Sequence, residues 1–395
     1  TYRLRQKKMK VRCGRRPAKM KILYIADSTS IHTQRWVRYF LEAGHVIYII
    51  TIGEKTERIN GAIHVANFDR FYFRSFSFLR VLKGTRKMLR QIKPDILHGH
   101  FVHQYGWLAA LTGFHPFVLS AWGTDILYLP NASRSGLGRL LTTYAMRRAD
   151  LLTATSEHLK NEMIKQGAAA DRIQVVFWGV DPRRFRPNID TGPLKKRLGI
   201  ANGSPVILSN RNQIALYNND IVVKAMAIVL KCFPKAVLIL QNSGGPLENE
   251  LKWLAQNENI SGSVRFLPRF SHGDLPPLYA LADVYVSVPS WDAGPVSLKE
   301  AMSCGAVPVI SRLPGPMEWV SDGVNGSIVP ARDPGKLAHA ICDLLSHPKQ
   351  CEHYRRINRD LIVKKADHRV MMEKMARWYH RLSGIPRTPL KSSVE

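Results

Sequence analysis

Short apolar runs alternate with longer amphipathic stretches along most of the chain. The apolar runs are KILYIAD, HVIYIIT and DILHGHF in the first half, and PVILSN, AVLILQN and DVYVSVP in the second. Strands that are apolar on both faces belong to parallel sheets covered by helices on both sides, and the amphipathic stretches supply those helices. The pattern therefore predicts an α/β fold with doubly wound parallel sheets.

The alternation occurs twice, which predicts two domains in a chain of 395 residues. The two series are separated by a polar stretch rich in proline and glycine, RRFRPNIDTGPLKKRLGIANGSP, which we interpret as the interdomain connection. We predict a disordered basic tail at 1–20, an N-terminal domain at 21–185, a linker at 186–204, a C-terminal domain at 205–370, a terminal helix at 371–385 and a tail at 386–395.

The segment VSVPSWDAGPVSLKEAMSCGAVP carries the clearest functional pattern. It predicts a buried strand at Val284–Val288, a loop that carries Asp292, and a helix that begins at Pro295, carries Glu300 and ends before Gly305. A helix N-terminus at the carboxyl edge of a sheet favours a phosphate-bearing ligand. The two carboxylates accept hydrogen bonds from hydroxyl groups. Together these features predict a nucleotide-sugar site.

The same segment resembles the signature of retaining glycosyltransferases of family four. Asp292 stands where the commoner pattern has glutamate, and the match continues through KEAMSCGAVPVI. The resemblance covers the chain from Lys21 to Leu382. It implies a GT-B fold, in which two Rossmann-like domains face each other across a cleft and the last helix crosses back to the N-terminal domain. It also implies metal-independent transfer, with retention, of a hexose or similar sugar from a nucleotide-diphosphate sugar to an acceptor.

On the donor side, the resemblance gives roles to residues of the C-terminal domain. Arg211 would bind the diphosphate, Asp292 the sugar hydroxyls and Glu300 the ribose. Tyr217 stands where the family has a lysine. Either Lys224, another basic residue or the backbone amides after Asp292 compensate for the missing charge, or turnover is reduced. By the same resemblance, the backbone of Arg265–Pro268, which includes Leu267, would hold the base, and the backbone around Ala293, Gly294 and Val296 would contact the sugar. The glycine turn at Gly244 and Gly245 would lie near the nucleotide.

On the N-terminal side, the resemblance places a histidine near the transferred sugar, and His100 is the best match. It completes the predicted catalytic set with Arg211, Asp292 and Glu300, while a place in the core is the alternative. Glu318 matches a family motif that contributes to the structure of the donor loop. The predicted acceptor-side residues are His32, Arg35, His103, Gly123 and Asp125.

The sequence carries no pattern typical of a metal site. The five cysteines form no CxxC pair, and His98, His100 and His103 have no cluster of cysteines or carboxylates beside them. There is also no Asp-x-Asp pair to bridge a metal to a diphosphate. We therefore predict neither a metal nor a cofactor, with a UDP-sugar or a GDP-sugar as the donor substrate.

The net charge of +28 favours polyanionic partners. Residues 68–93 carry eight basic side chains and one acidic one, interleaved with six aromatic side chains. This combination favours an anionic membrane surface, although a solvated helix face with its aromatics in the core fits equally well. No nucleic-acid motif is present, so no specific nucleic-acid partner is predicted. We predict a cytoplasmic protein. If residues 68–93 bind an anionic membrane, the protein is peripheral on its inner face.

The predicted acceptor is a saccharide or a lipid-linked saccharide of envelope polysaccharide or glycolipid synthesis. Two alternatives remain open from the sequence. One is another GT-B enzyme, a nucleotide-sugar epimerase or a phosphorylase. The other is a polyanion-binding protein that has lost catalysis, which Tyr217 and the high charge would support.

Overall fold

The computed structural model describes residues 19–53, 56–68, 76–127, 136–243 and 245–386. Its first sheet has seven parallel strands in the order β3-β2-β1-β4-β5-β6-β7. The strands are β1 Lys21–Ile25, β2 Val46–Ile52, β3 Ile63–Phe68, β4 Ile96–His100, β5 Phe117–Ser120, β6 Leu151–Ala154 and β7 Ile173–Val175. The helices of this half are α1 Ile31–Glu42, α2 Phe76–Ile92, α3 Trp107–Thr112, α4 Thr124–Leu127, α5 Gly136–Arg148 and α6 Glu157–Lys165.

The second sheet has six parallel strands in the order β10-β9-β8-β11-β12-β13. The strands are β8 Val206–Ser209, β9 Val237–Ser243, β10 Val264–Pro268, β11 Val284–Ser287, β12 Val307–Ser311 and β13 Ser327–Val329. The remaining helices are α7 Gly192–Leu198, α8 Asn219–Cys232, α9 Glu248–Asn257, α10 Leu275–Leu281, α11 Val296–Cys304, α12 Pro314–Met317, α13 Pro334–Ser346, α14 Pro348–Lys365 and α15 His368–Ser383.

Both sheets reverse their strand order beside the first strand of their half, β1 or β8, as doubly wound sheets do. The predicted class, two Rossmann-like doubly wound domains, is confirmed. Two local expectations need correction. Pro295 is not the first residue of α11 but precedes it in an extended conformation, with ψ of 141°. The segment predicted as a linker contains α7, which has a proline in its first turn and ends at Gly199 in a left-handed conformation.

The last helix, α15, lies against the first sheet. The hydroxyl of Tyr379 forms hydrogen bonds with His98 Nδ1 at 2.5 Å, with the hydroxyl of Tyr24 at 3.3 Å and with Trp36 Nε1 at 3.4 Å. All four side chains are buried. Because Tyr379 and Tyr24 are 355 positions apart, this cluster joins the two ends of the fold.

The two domains also meet at the cleft. Glu318, just after α12, accepts hydrogen bonds from the backbone N–H groups of Glu157 at 3.1 Å and His158 at 2.7 Å. Its carboxylate therefore caps the N-terminus of α6 in the other domain, where the helix dipole favours a negative charge. Nearby, a Cβ added to Gly123 would lie 2.6 Å from the Cβ of Ala293, so only glycine permits this approach.

In the portion of the chain that the structure describes, no helix is both long enough and apolar enough to cross a membrane.

The buried histidines predict a loss of stability in acid. Burial lowers the pKa of His98 well below its ordinary value and that of His100 to about 3, so both rings are neutral in the folded protein. The unfolded chain binds protons below about pH 6.5 while the folded chain does not. We expect the free energy of unfolding, measured with urea, to fall by about 1.4 kcal/mol per buried histidine for each pH unit below 6.5. A His98→Gln variant should show a shallower pH dependence, and equal stability at pH 7.5 and 5.5 would contradict the prediction.

Candidate active site

A cleft of about 1280 Å³ lies between the carboxyl edges of the two sheets. The residues that line it come from both domains, including α1, the loop after β5, the ends of β8 and β10, and the N-terminal half of α11. Parallel strands bring their following loops to one edge, which explains why residues far apart in the chain converge here.

The first feature of the donor-domain wall is a buried ion pair. Arg211 Nη2 lies 2.6 Å from Asp292 Oδ2, and the two side chains are 10% and 12% exposed. Although burial opposes the charged form, the carboxylate of Asp292 raises the pKa of Arg211 above its ordinary value. The guanidinium carbon also lies 4.2 Å from the ring centre of Tyr217. Tyr217 therefore packs against Arg211 in the place where the family has a lysine, whereas Lys224 is exposed and does not line the cleft.

Hydrogen bonds extend from this pair to Glu300. Arg211 Nη1 donates to Ser297 Oγ at 3.1 Å, and the Tyr285 hydroxyl lies 2.8 Å from the same oxygen and 3.0 Å from Asn210 Oδ1. Asn210 in turn donates to the hydroxyl of Tyr279.

The chain of hydrogen bonds ends on the carboxylate of Glu300. Tyr279 donates to Oε2 at 3.1 Å, and His272 Nε2 lies 2.8 Å from Oε1. Glu300 is 4% exposed and also lines the cleft. The network holds the two predicted carboxylates in fixed orientations, and it includes polar residues on β11 and α10 that the sequence pattern presented as core positions.

The loop between Asp292 and α11 exposes a helix N-terminus to the cleft. Gly294 has φ of +128°, which side chains rarely permit, and its N–H donates to Asp292 Oδ1 at 3.1 Å. The loop packs closely on Gly315, because a Cβ added to Gly315 would lie 2.5 Å from the carbonyl carbon of Ala293. The free N–H groups and positive dipole end of α11 thus lie beside the Arg211 guanidinium, an arrangement that suits a diphosphate.

Lys299 is a residue of this wall that the sequence interpretation missed. Its side chain is fully buried, its amine donates to the carbonyl of Gly294 at 3.1 Å, and it lies 4.9 Å from the ring centre of Trp319. Burial lowers its pKa to about 8, although Asp292 and Glu300 oppose that shift. The sequence could have indicated Lys299, because it directly precedes Glu300 on a helix predicted to be buried. Its contacts with Gly294 and Trp319 depend on the tertiary structure.

The opposite wall is aromatic and cationic. His32 stacks on Trp178 with ring centres 3.9 Å apart, and Trp122 meets both rings edge to face. Arg35, one helical turn from His32, lines the same wall. Burial, with a smaller effect from Arg35, lowers the pKa of His32 to about 3, so its ring is neutral. Flat aromatic faces of this kind suit the apolar face of a sugar ring.

Several predicted residues do line the cleft. From the donor set these are Arg211, Tyr217, Asp292, Ala293, Gly294, Val296 and Glu300, and from the acceptor set His32, Arg35 and Gly123.

On the N-terminal side, the predicted residues His100, His103 and Asp125 do not line the cleft. His100 is 1% exposed and packs edge to face against Tyr24, Trp36 and His98, and its Nε2 has no hydrogen-bond partner. His103 is also buried. The prediction that His100 lies near the sugar stays a prediction: its ring does not line the cleft, but its centre lies 5.8 Å from that of Trp122, which does.

Asp125 supports the cleft from behind. It is fully buried and accepts hydrogen bonds from the backbone N–H groups of Val102, Trp122 and Gly123. Burial raises its pKa to about 6, against the effect of these bonds. Asp125 thus shapes the loop that presents Trp122 and Gly123.

The residues predicted to hold the base lie at the margin of the site. The Arg265 guanidinium donates to the carbonyls of Leu198 and Gly262, and Leu267 is buried, so neither side chain lines the cleft. The lining at this end comes instead from residues 269–273. Gly245 approaches the backbone of Gln213, where a Cβ would be 2.6 Å from its carbonyl oxygen. Gly244 lies outside the described residues.

Within the described ranges, no group of three or more histidine, cysteine, aspartate or glutamate side chains is placed to hold a metal ion.

Comparison with known proteins agrees with this geometry. The family model described as Glycosyl transferase 4-like matches residues 21–156, and the model described as Glycosyl transferases group 1 matches residues 190–361. Together these matches include nearly all strands of both sheets. The chain therefore belongs to the group 1, family 4 glycosyltransferases, and the predicted family and class of enzyme are confirmed.

Among similar proteins is a GDP-mannose-dependent monoacylated alpha-(1-6)-phosphatidylinositol monomannoside mannosyltransferase from Corynebacterium glutamicum, 27% identical over 71% of this chain and 68% of that protein. A D-inositol 3-phosphate glycosyltransferase 2 from Catenulispora acidiphila is 29% identical over 64% of this chain and 63% of that protein. The chain thus spans about two thirds of the length of these relatives.

Solved structures share the fold. HepE from Anabaena, in complex with UDP-glucose, has a TM-score of 0.77 and 19% identity, with 92% of this chain and 100% of that chain covered. At this identity the likeness concerns the fold alone, and it confirms the GT-B arrangement.

The position of Lys299 predicts a role in holding the donor loop. A Lys299→Met variant leaves the carbonyl of Gly294 unpaired and removes a positive charge between two carboxylates. We expect its affinity for UDP or GDP, measured by calorimetry, to fall about tenfold. In the wild type the affinity should also fall as the pH rises above about 8, because the amine then loses its charge.

A merely structural role for Lys299 would not produce this pH dependence. The variant should bind nucleotide with a flat profile between pH 7 and 9. Replacement of the exposed Lys336 by methionine is the matched control and should change neither affinity nor profile.

Proposed function

We propose that this chain transfers a sugar from a nucleotide-diphosphate sugar to a saccharide or lipid-linked acceptor, with retention at the anomeric carbon and without a metal ion. The observation that supports this most directly is the convergence of Arg211, the N-terminus of α11 and Glu300 on one wall of the cleft. Cationic groups, free N–H donors and a carboxylate are what a diphosphate and a ribose diol require.

The proposed chemistry needs stabilisation of a departing diphosphate. The guanidinium fork of Arg211, charged and held by Asp292, takes up negative charge as the sugar–phosphate bond breaks. Amides at the start of α11 add to this effect. In a retaining transfer on one face, an oxygen of the departing phosphate accepts the proton of the acceptor hydroxyl, so no separate protein base is required.

The aromatic wall supports an acceptor that is a saccharide. His32, Trp122 and Trp178 pack on one another and line the cleft on the side opposite the donor wall. For the donor, a mannosyltransferase relative is named as GDP-mannose-dependent, whereas HepE binds UDP-glucose. We therefore propose a UDP-sugar or a GDP-sugar, with no cofactor.

A membrane-held acceptor is supported by the surface of α2. Arg80, Lys83, Lys87 and Arg90 are exposed and spaced along one helical face, while Phe78 on the other face is buried in the core. Each such cation adds about 1 kcal/mol near an anionic leaflet. We propose that the protein works at the inner face of a membrane, in the synthesis of an envelope polysaccharide or glycolipid.

The donor site is tested with purified protein, EDTA and a panel of UDP-, GDP- and ADP-sugars, with and without a membrane lipid extract. We expect nucleoside diphosphate release with one donor, increased by the extract. Asp292→Asn and Glu300→Gln should each reduce the rate of sugar transfer about a hundredfold or more. The first variant removes the ion-pair partner that positions Arg211, and the second removes the charged acceptor for the ribose hydroxyls. Wild-type rates in both variants would show that the donor site lies elsewhere.

Sedimentation with vesicles tests the membrane surface. Replacement of Arg80, Lys83, Lys87 and Arg90 by serine should weaken binding to vesicles that contain phosphatidylglycerol at least tenfold, with little change for neutral vesicles. A control variant carries serine at four exposed basic positions of α14, namely Lys349, Arg356, Lys364 and Lys365. Equal loss in both variants would mean that net charge alone, rather than the α2 surface, attracts the protein.

A further inference from the structure

The acceptor-side wall contains a guanidinium without a counter-charge. Arg35, on α1, donates a hydrogen bond from Nη2 to the carbonyl of Gly179 and lines the cleft. Among the described residues, no carboxylate lies within 4.0 Å of its charged nitrogens. Burial lowers the pKa of Arg35, with Glu300 and Asp181 opposing that effect from a greater distance.

Two further donors lie beside Arg35. His368, at the start of α15, lines the same small recess as Arg35, and its buried Nδ1 has no hydrogen-bond partner among the residues that the structure describes. Arg184 also lines the cleft, is exposed, and has no carboxylate within ion-pair distance in the described parts of the chain. Arg35 and Arg184 thus line the same cleft, and the charge of Arg184 contributes to the lowered pKa of Arg35.

The carboxylates of this region are engaged elsewhere. Asp181 pairs with Arg183 at 3.3 Å, and Asp367 accepts the backbone N–H of Arg369 at 2.7 Å as the cap of α15. Glu300 is held by His272 and Tyr279. The protein thus leaves a half-buried cation with most of its five N–H donors unused, at a free-energy cost that a bound anion would offset.

We propose that Arg35, Arg184 and His368 form a subsite for a phosphate group, separate from the diphosphate site at Arg211. The fork of Arg35 matches two oxygens of a phosphate, Arg184 adds charge from the solvent side, and an Nδ1–H of His368 donates to a third oxygen. The inference rests on the proposed function, because it assigns the phosphate to a substrate of the transferase.

Two substrates are sources of such a phosphate. One is a phosphorylated acceptor, which fits the position of Arg35 on the wall that faces the donor domain. The other is the nucleotide itself, since Arg35 and Glu300 line the same cleft. The chemistry of recognition is the same, and competition distinguishes the sources.

Inorganic phosphate serves as the probe, and tryptophan fluorescence reports its binding. Trp36 and Trp178 line the recess together with Arg35 and His368. We expect a saturable fluorescence change with phosphate that sodium chloride at matched ionic strength does not reproduce. Arg35→Met should weaken phosphate binding about tenfold or more, because it removes a charge-assisted pair of hydrogen bonds. Arg184→Met should weaken it less, since that side chain is exposed.

Matched variants locate the bound phosphate. Arg139→Met, which removes an exposed arginine of α5 away from the cleft, should retain the response. Retention of the response in Arg35→Met, or its loss in Arg139→Met, would overturn the proposal, as would the absence of any saturable response in the wild type. Circular dichroism identifies variants that fail to fold. If Arg35→Met does not fold, Arg35→Lys replaces it, since lysine keeps the charge but lacks the paired N–H donors of the guanidinium. We expect Arg35→Lys to bind phosphate more weakly than the wild type.

A second titration with saturating UDP or GDP identifies the source. If phosphate still binds when the nucleotide is bound, the subsite serves a phosphate of the acceptor. If the nucleotide displaces phosphate from Arg35, the subsite serves a phosphate of the donor. Either result supports the subsite. If the protein binds phosphate through Arg35 but neither nucleotide nor any nucleotide-sugar, the proposed donor chemistry fails while the subsite stands, so the two failures are distinguishable.

Discussion

The buried ion pair between Arg211 and Asp292 is the interaction on which the donor wall depends. Two charges removed from water are better tolerated when their remaining donors and acceptors are satisfied. Ser297 accepts from Arg211 Nη1, the N–H of Gly294 donates to Asp292 and the ring of Tyr217 covers one face of the guanidinium, while Arg211 Nε has no hydrogen-bond partner among the described residues. As a result, the loop before α11, the end of β8 and the ring of Tyr217 are mutually fixed, and the N-terminus of α11 faces the cleft with the guanidinium beside it.

The tyrosine at position 217 changes the balance of charge at this wall. In place of a second cation, an aromatic ring covers one face of the guanidinium, which restricts its motion and keeps its fork directed at Asp292. Lys299 adds a positive charge from below the loop, although it does not itself line the cleft. The wall therefore relies on one guanidinium and a helix N-terminus at its surface, supported by a buried ammonium.

The cleft exists because the domains are joined at two places beside it. Glu318 caps α6 across the domain boundary, and α15 anchors the C-terminal half to the first sheet through Tyr379. Both contacts join segments more than 150 positions apart. They bring the aromatic wall of His32, Trp122 and Trp178 opposite the donor wall, so one site draws on both sheets.

The sequence by itself determined the two parallel sheets, the strand–loop–helix unit around Asp292 and Glu300, and the family, because apolar periodicity and a local motif are properties of neighbouring residues. It also indicated Arg211 and His32. Only the tertiary structure decided that His100 and Asp125 are buried and do not line the cleft, that the Arg265 side chain binds backbone carbonyls, that His272 lines the site, and that Lys299 and Tyr285 support it. The environment of each side chain depends on residues far away in the sequence that pack against it, and the local pattern of neighbouring residues does not determine those long-range contacts.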